Sequence, residues 1–294
     1  MSSWPETDRV TRARRSSASY SIRKTPVRHD TIYRGVRDGP TVKTTVLHEL
    51  FIRKILLVRE RAASMDEYPF SLPAVRAIDG LELDRVTYFV GENGSGKSTV
   101  LEAVAVASGL NAEGGTTNFS FATRPSESPL HQCLRLVRAA RRPRTSFFLR
   151  AETFYNVATE VERLGIGSSY GGGSLHAMSH GEAFLGLMKH RFGPSGLYIL
   201  DEPEAALSPA RQLAFLHRLH ELVQAGSQFL IATHAPIVLA YPDAMIYRLD
   251  EHGIERTSYD ETDQVTLTRD FLNHRPRFLD ELLVEEKIPR REPR

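Results

Sequence analysis

The sequence predicts an α/β fold in which a mostly parallel sheet is flanked by helices, with a small antiparallel β part. Three observations lead there. Short apolar runs, Val86–Val90, Leu197–Leu200 and Phe229–Ala232, alternate with segments of helical period. Each run is apolar along its length apart from Thr87, as a strand buried on both faces should be. A glycine-rich turn joins the first run directly to a helix.

Taken in order, Phe51–Val58 reads as a first strand, and a loop with Tyr68, Pro69, Phe70 and Pro73 follows. Leu81–Leu83 and Val86–Val90 are short strands separated by a polar gap. A helix runs from about Lys97 to Ser108, with Gly109 as its stop. After a polar loop over 110–128, the spacing predicts a helix from Pro129 to Arg142 that ends at Pro143. Thr145–Arg150 reads as a strand, Ala151–Leu164 as a helix, and Gly165–Ser174 as a flexible run before a helix holding Gly181–Arg191. After Leu197–Leu200, Ser208 caps a helix with Pro209 at its first position and Gly226 past its end. Leu213, Leu216, His220 and Val223 mark one mostly apolar face of it. Phe229–Ala232 follows as a strand, and Ala244–Leu249 with Ile254–Thr257 suggests a hairpin.

The 294 residues are 41% hydrophobic and 25% charged, which is ordinary globular usage and excludes collagen-like or wholly disordered classes. At roughly 150 residues per domain the length allows two domains or one larger one. The net charge of +2 hides an asymmetry. Residues 1–48 hold ten Lys/Arg and four Asp/Glu, giving a +6 arm without helix or strand period and a mildly acidic body of −4. The arm reads either as an electrostatic contact for nucleic acid or an acidic partner, or as an extension without a binding role. A lone cysteine, Cys133, excludes an intrachain disulfide and suits a reducing cytoplasm. The N-terminus has no apolar core of a secretory signal. Leu222–Pro242 is uncharged and long enough to span a bilayer, yet Gln224, Gln228, Thr233, His234 and Pro236 make it a soluble strand, turn and helix.

Gly91-Glu92-Asn93-Gly94-Ser95-Gly96-Lys97-Ser98 matches G-x-x-x-x-G-K-[ST]. Its glycines let successive backbone N–H groups curl around phosphate oxygens, and the following helix N-terminus adds positive character. Lys97 is placed to reach the β- and γ-phosphates, and Ser98 to ligate Mg²⁺. Leu197–Leu200 ends in Asp201 and Glu202. In an open parallel sheet that end faces the ligand. Asp201 then holds Mg²⁺, and Glu202 orients and deprotonates the attacking water. The expected reaction is Mg²⁺-dependent hydrolysis of ATP to ADP and phosphate.

With these motifs the chain resembles ATPases of the ABC type over roughly residues 50–260. The phrases Phe89–Thr99, Ser179–Glu182 and Asp201–Pro209 narrow the resemblance to small bacterial AAA family ATPases with ABC-like cores. The resemblance implies that Ser179-His180-Gly181-Glu182, 22 residues before Asp201, stands for a signature turn usually reading Ser-Gly-Gly-Gln. That turn binds the γ-phosphate held by a second copy, so that ATP is sandwiched in a head-to-tail homodimer. It also implies that His234 is the switch histidine and that Thr99 closes the phosphate loop. His180 and Glu182 depart from the signature, and Ser208 stands near a usual aspartate. No clear glutamine loop follows Thr145–Arg150, and Glu152 is the nearest polar residue. Tyr68 or Phe70 is either an adenine-stacking ring or a core residue.

On this reading 49–294 is one ATPase domain with a small helical insertion over about 110–190. Two alternatives keep the same chemistry: the ATP-binding subunit of a transporter, which needs a separate membrane partner, and a DNA-associated repair or defence ATPase. A non-hydrolysing nucleotide switch is a further class, against which the Asp201–Glu202 pair argues. Chromosome ATPases with a coiled-coil insertion of hundreds of residues are excluded by length. Arg135, Arg138, Arg141, Arg142 and Arg144 cluster at one predicted helix end, as a nucleic-acid stripe or a solvated face. His217 and His220 lack partners at metal-ligand spacing and read as structural.

Overall fold

A computed structural model describes residues 50–112, 114–115, 128–150 and 180–283. The expected arm over 1–48, the helix Ala151–Leu164, the run Gly165–Ser174, Glu152 and Ser179 lie outside the described residues.

The apolar runs form strands at the expected places. In chain order the described elements begin with β1 (Ile52–Leu57), α1 (Pro73–Arg76), β2 (Leu81–Glu82), β3 (Val86–Val90) and α2 (Lys97–Ala107). Next come α3 (Leu130–Cys133), β4 (Leu134–Arg138), β5 (Thr145–Arg150) and α4 (His180–Arg191). β6 (Gly196–Asp201), α5 (Pro209–Gln224), β7 (Gln228–Ala232), α6 (Pro236–Leu239), β8 (Met245–Asp250) and β9 (Gly253–Thr257) follow. Two helices, α7 (Asp263–Asn273) and α8 (Arg275–Leu282), end the described chain. The fold is α/β, with a mixed, mostly parallel sheet and a small antiparallel one.

The larger sheet has the order β5-β6-β7-β3-β8-β9, parallel throughout except for the β8–β9 hairpin. Because side chains alternate along a strand, each central strand feeds two cores. Val86, Tyr88 and Val90 of β3, with Tyr198 and Leu200 of β6 and Phe229 and Ile231 of β7, pack against α4 and α5. Phe89, Leu197, Ile199, Leu230 and Ala232 point the other way, toward α2 and the small sheet.

That small sheet, β2-β1-β4, is antiparallel. Gln228 ties it to the large one. Its buried amide accepts the N–H groups of Phe51 and Ile52, each at 3.0 Å, and donates to Ile52 O and Asp84 O. A buried amide with all these bonds satisfied costs little and fixes where β1 starts.

Two expectations are corrected. The predicted helix Pro129–Arg142 is a single helical turn, α3, that passes into strand β4. Ile55 of β1 pairs with Leu136 and Leu57 with Leu134, so β4 supplies the partners that the backbone of β1 needs. Arg135, Arg138 and Arg142 therefore do not share a helix face. The apolar face of α5 is also rotated. Leu213 is 60% exposed, and the buried stripe is Phe215, Leu219, Leu222 and Val223. The helix carries enough apolar residues for two overlapping stripes. The one with Phe215, whose ring lies 6.0 Å from that of Phe184, is the one that docks. Burying those four side chains contributes about 6–12 kcal/mol before chain entropy is counted.

Ser208 occupies the N-cap position of α5, but its hydroxyl makes no capping bond, and Pro209 starts the helix as expected. Leu222–Pro242 holds the end of α5, β7 and α6, and no described helix is long and apolar enough to cross a membrane.

Candidate nucleotide site

The strand order brings the distant motifs together. β7 lies between β6 and β3, and all three run in the same direction. Their C-terminal ends therefore set Asp201, the segment Thr233–His234 and the loop Gly91–Gly96 side by side.

The loop between β3 and α2 depends on glycine. Gly91, Gly94 and Gly96 have φ of 146°, 83° and 101°, a region that side chains with a Cβ avoid. At Gly91 a Cβ would lie 2.1 Å from Leu249 O, so the loop presses on the end of β8. Above Gly94 there is open space within 4 Å. Lys97 is buried and donates from Nζ to Gly91 O at 2.9 Å and to Glu92 O at 2.7 Å. Burial holds its ammonium below the ordinary pKa, against the opposing pull of the Glu202, Asp201 and Glu204 carboxylates. Next in the chain, Ser98 Oγ donates to Asp201 Oδ1 at 3.1 Å, across a separation of 103 residues. Thr99 Oγ1 lies 3.0 Å from the hydroxyl of Tyr68.

Glu202 has φ 52° and ψ 53°, a left-handed conformation in a residue with a Cβ, and its N–H is tied to Ala232 O at 3.0 Å. Such a backbone stores roughly 1–3 kcal/mol and persists where the surroundings fix it. His234 Nε2 lies 3.5 Å from Glu202 Oε1. Glu92, Asn93, Glu202 and His234 line an open hollow of about 440 Å³. Of its lining, His234 Nε2 is buried and makes no hydrogen bond with any described residue.

Two residues given no role in the sequence reading belong to this site. Glu204 Oε1 accepts the backbone N–H of His234 at 2.6 Å, and so clamps the end of β7 to the turn after β6. The signal was its place in Asp201-Glu202-Pro203-Glu204. Arg150, at the end of β5, lies 2.7 Å from Glu102 Oε2 and 3.8 Å from Asp201 Oδ2. Only the pairing of β5 with β6 reveals that neighbour.

Of the signature stretch, His180 begins α4, and the described side-chain geometry starts at Gly181. A Cβ on Gly181 would come within 2.6 Å of Ala206 O and 2.7 Å of Arg211 Nη1, so glycine allows α4 to touch the turn after β6. Glu182 Oε1 accepts from Arg211 Nη2 at 2.9 Å. The two candidate stacking rings separate: Phe70 is buried in the core beside α2, whereas Tyr68 is 65% exposed next to Thr99. The oxygens of Ser98 and Asp201, hard donors already at hydrogen-bond distance, suit a hard divalent cation such as Mg²⁺.

No protein-family model matches the chain, and no curated protein does. Solved structures similar to it include the SMC head domain from Thermotoga maritima, at 17% identity and a TM-score of 0.40, covering 71% of this chain and 100% of that one. An SmcHead bound to the C-winged helix domain of ScpA is 13% identical with a TM-score of 0.43, covering 71% and 98%. The cbiO1 subunit of the ABC transporter complex cbiONQ from Clostridium perfringens is 18% identical with a TM-score of 0.40, covering 80% and 100%. At these identities and scores the likenesses carry no conclusion about function, which rests on the site geometry.

Proposed function

We propose that this chain is an ABC-type ATPase that binds ATP with Mg²⁺ at the loop Gly91–Thr99 and hydrolyses it to ADP and phosphate. The observation that carries the reading is the Ser98–Asp201 hydrogen bond. It joins the start of α2, just after the glycine loop, to the acidic end of β6, and Glu202 and His234 line the adjoining hollow, an arrangement that supports phosphate binding at this loop.

The amides of Glu92, Asn93, Gly94, Ser95 and Gly96 and the start of α2 bind the phosphates. Lys97 exchanges its two loop carbonyls for phosphate oxygens, a favourable trade for a buried ammonium. Ser98 and Asp201 would hold Mg²⁺, whose charge draws electron density from the transferring phosphoryl group. Glu202 takes the proton of the attacking water, and the left-handed turn at its backbone fixes where its carboxylate points. His234 orients the same water through Nε2. Tyr68 stacks on the base. Ser179, His180, Gly181 and Glu182 of a second copy complete the site in an ATP-dependent head-to-tail homodimer. The body 49–294 acts as a single cytoplasmic domain.

Purified protein with MgATP should release phosphate, and Glu202→Gln should bind ATP without releasing it. Equal rates in the two proteins would remove Glu202 from the mechanism. The same variant should elute as a dimer with ATP and as a monomer without it. A monomer at saturating ATP would refute the shared site.

A further inference from the structure

A second and larger cavity opens at the other end of the sheet, beside the starts of β5 and β6. We propose that it binds a compact polyanion carrying two or more phosphates. Its volume is about 900 Å³, near the top of the range for small-molecule sites, roughly 300–1,000 Å³. Thr145, at its rim, begins β5, and Arg150 beside Asp201 ends it. At about 3.3 Å per residue the two sites lie ~17 Å apart along that strand.

The wall is strongly one-signed. It carries Arg138, Arg141, Arg142, Arg144, His190 and Arg191, and no described carboxylate lines it. Four guanidiniums, those of Arg138, Arg141, Arg142 and Arg144, gather within seven residues with no carboxylate among the described lining, and a bound polyanion relieves their mutual repulsion. Every permanent cation among them is arginine, whose planar fork grips phosphate oxygens in pairs. Part of the wall is already rigid. Arg138 Nη2 donates to Ala107 O at 2.6 Å. Arg141 Nη2 donates to Ser195 Oγ, and its guanidinium lies 5.6 Å over the Phe51 ring. Arg142 and Arg144 are exposed, and their side chains make no hydrogen bond or ion pair with any described residue. The backbone beneath them is held, because Arg144 N–H donates to Ser195 O at 2.9 Å. This is a pre-formed cation cluster with two arms available to a ligand.

Shape and lining select the ligand class. A half-enclosed concave wall surrounds a compact molecule, whereas a nucleic-acid strand needs cations continuing along a track and exposed rings for its bases. Among the described lining residues the one aromatic, Phe51, is buried under Arg141.

The test is calorimetric titration of the full chain with inorganic tripolyphosphate. The loop at Lys97 is itself a polyphosphate site, so the titration uses Lys97→Ala protein with and without Arg142→Ala and Arg144→Ala. Lys97→Ala protein should still bind tripolyphosphate, at least about tenfold more tightly than orthophosphate. Removing both arginines should weaken that binding at least about tenfold, since each forms charge-assisted bonds. Arg142→Gln/Arg144→Gln gives the same comparison if the alanine pair folds poorly. Absence of binding to Lys97→Ala protein, or an affinity unchanged by loss of the arginines, overturns the proposal. So does a single-stranded oligonucleotide that displaces tripolyphosphate and binds more tightly, because the ligand is then a nucleic-acid backbone.

Discussion

Replacing Gly91 by alanine puts a methyl group 2.1 Å from Leu249 O and 2.9 Å from Ser95 Oγ, at a φ of 146°. Ordinary contact begins near 3.4 Å, so the loop or the end of β8 must move by more than an ångström. The backbone conformation costs roughly 1–3 kcal/mol and the overpacking a further 1–3. The sum, about 2–6 kcal/mol, is a large part of the 5–15 kcal/mol by which proteins of this kind are stable. Gly94→Ala is the internal control. It has φ 83° but no atom within 4 Å of the added carbon, so only the backbone cost applies, about 1–2 kcal/mol. The two substitutions add the same methyl group three residues apart in one loop. At roughly 2–4 °C per kcal/mol, Gly91→Ala should melt several degrees below Gly94→Ala in the nucleotide-free protein. Differential scanning calorimetry measures the gap. Melting points that coincide within about 1 °C would refute the claim that the loop is wedged against β8. Gly94→Ala should still lose ATP affinity, because its methyl group stands in the open space above the loop.

The other predictions concern single groups. Glu204→Ala removes the acceptor for the His234 N–H and should lower the hydrolysis rate about tenfold, while Glu204→Gln, which keeps an acceptor oxygen, should recover most of it. Equal losses in both variants would mean that the charge of Glu204, and not its hydrogen bond, matters. Lys97 titrates below its ordinary value of 10.5 when folded. Between the lowered value and 10.5 the unfolded chain binds more protons, so this residue's contribution to stability rises with pH across that window. Urea unfolding of Lys97→Met through the same alkaline window should lack that rise, and an unchanged pH slope would refute it. Cys133 is buried, and burial pushes its thiol pKa up, against the weaker pull of Arg61. A thiol reagent should modify it slowly in native protein and rapidly in urea. Equal rates would show that the α3–β4 junction opens readily.

The site was legible to different depths. Gly91–Thr99 and Asp201–Glu202 stand out in the sequence because their chemistry is local, a glycine turn on a helix or carboxylates ending an apolar run. Arg150 did not, and Glu204 showed only its place beside Asp201 and Glu202, because their partners Asp201 and His234 are brought to them by strand pairing. The segment 134–138 misled for a related reason. Its residues fit a helical period, and only the open backbone of β1 makes it a strand. The helices α7 and α8 do carry spaced apolar residues, among them Val265, Leu267, Leu272 and Leu282, but only Val265 of these is buried in the structure, so the pattern alone does not say what they pack against.

By itself, then, the sequence determined the strand runs, the phosphate-type loop and the acidic strand end, since each depends on residues adjacent in the chain. Tertiary structure decided what they do together. The order β6-β7-β3 sets Ser98 3.1 Å from Asp201 and His234 3.5 Å from Glu202. It also decided that Phe215, not Leu213, faces the core, and that arginines predicted on a helix end gather around a cavity. The physical reason is common to all of these. A contact between residues a hundred positions apart depends on which strands pair, and pairing is settled by the burial and hydrogen bonding of the whole sheet.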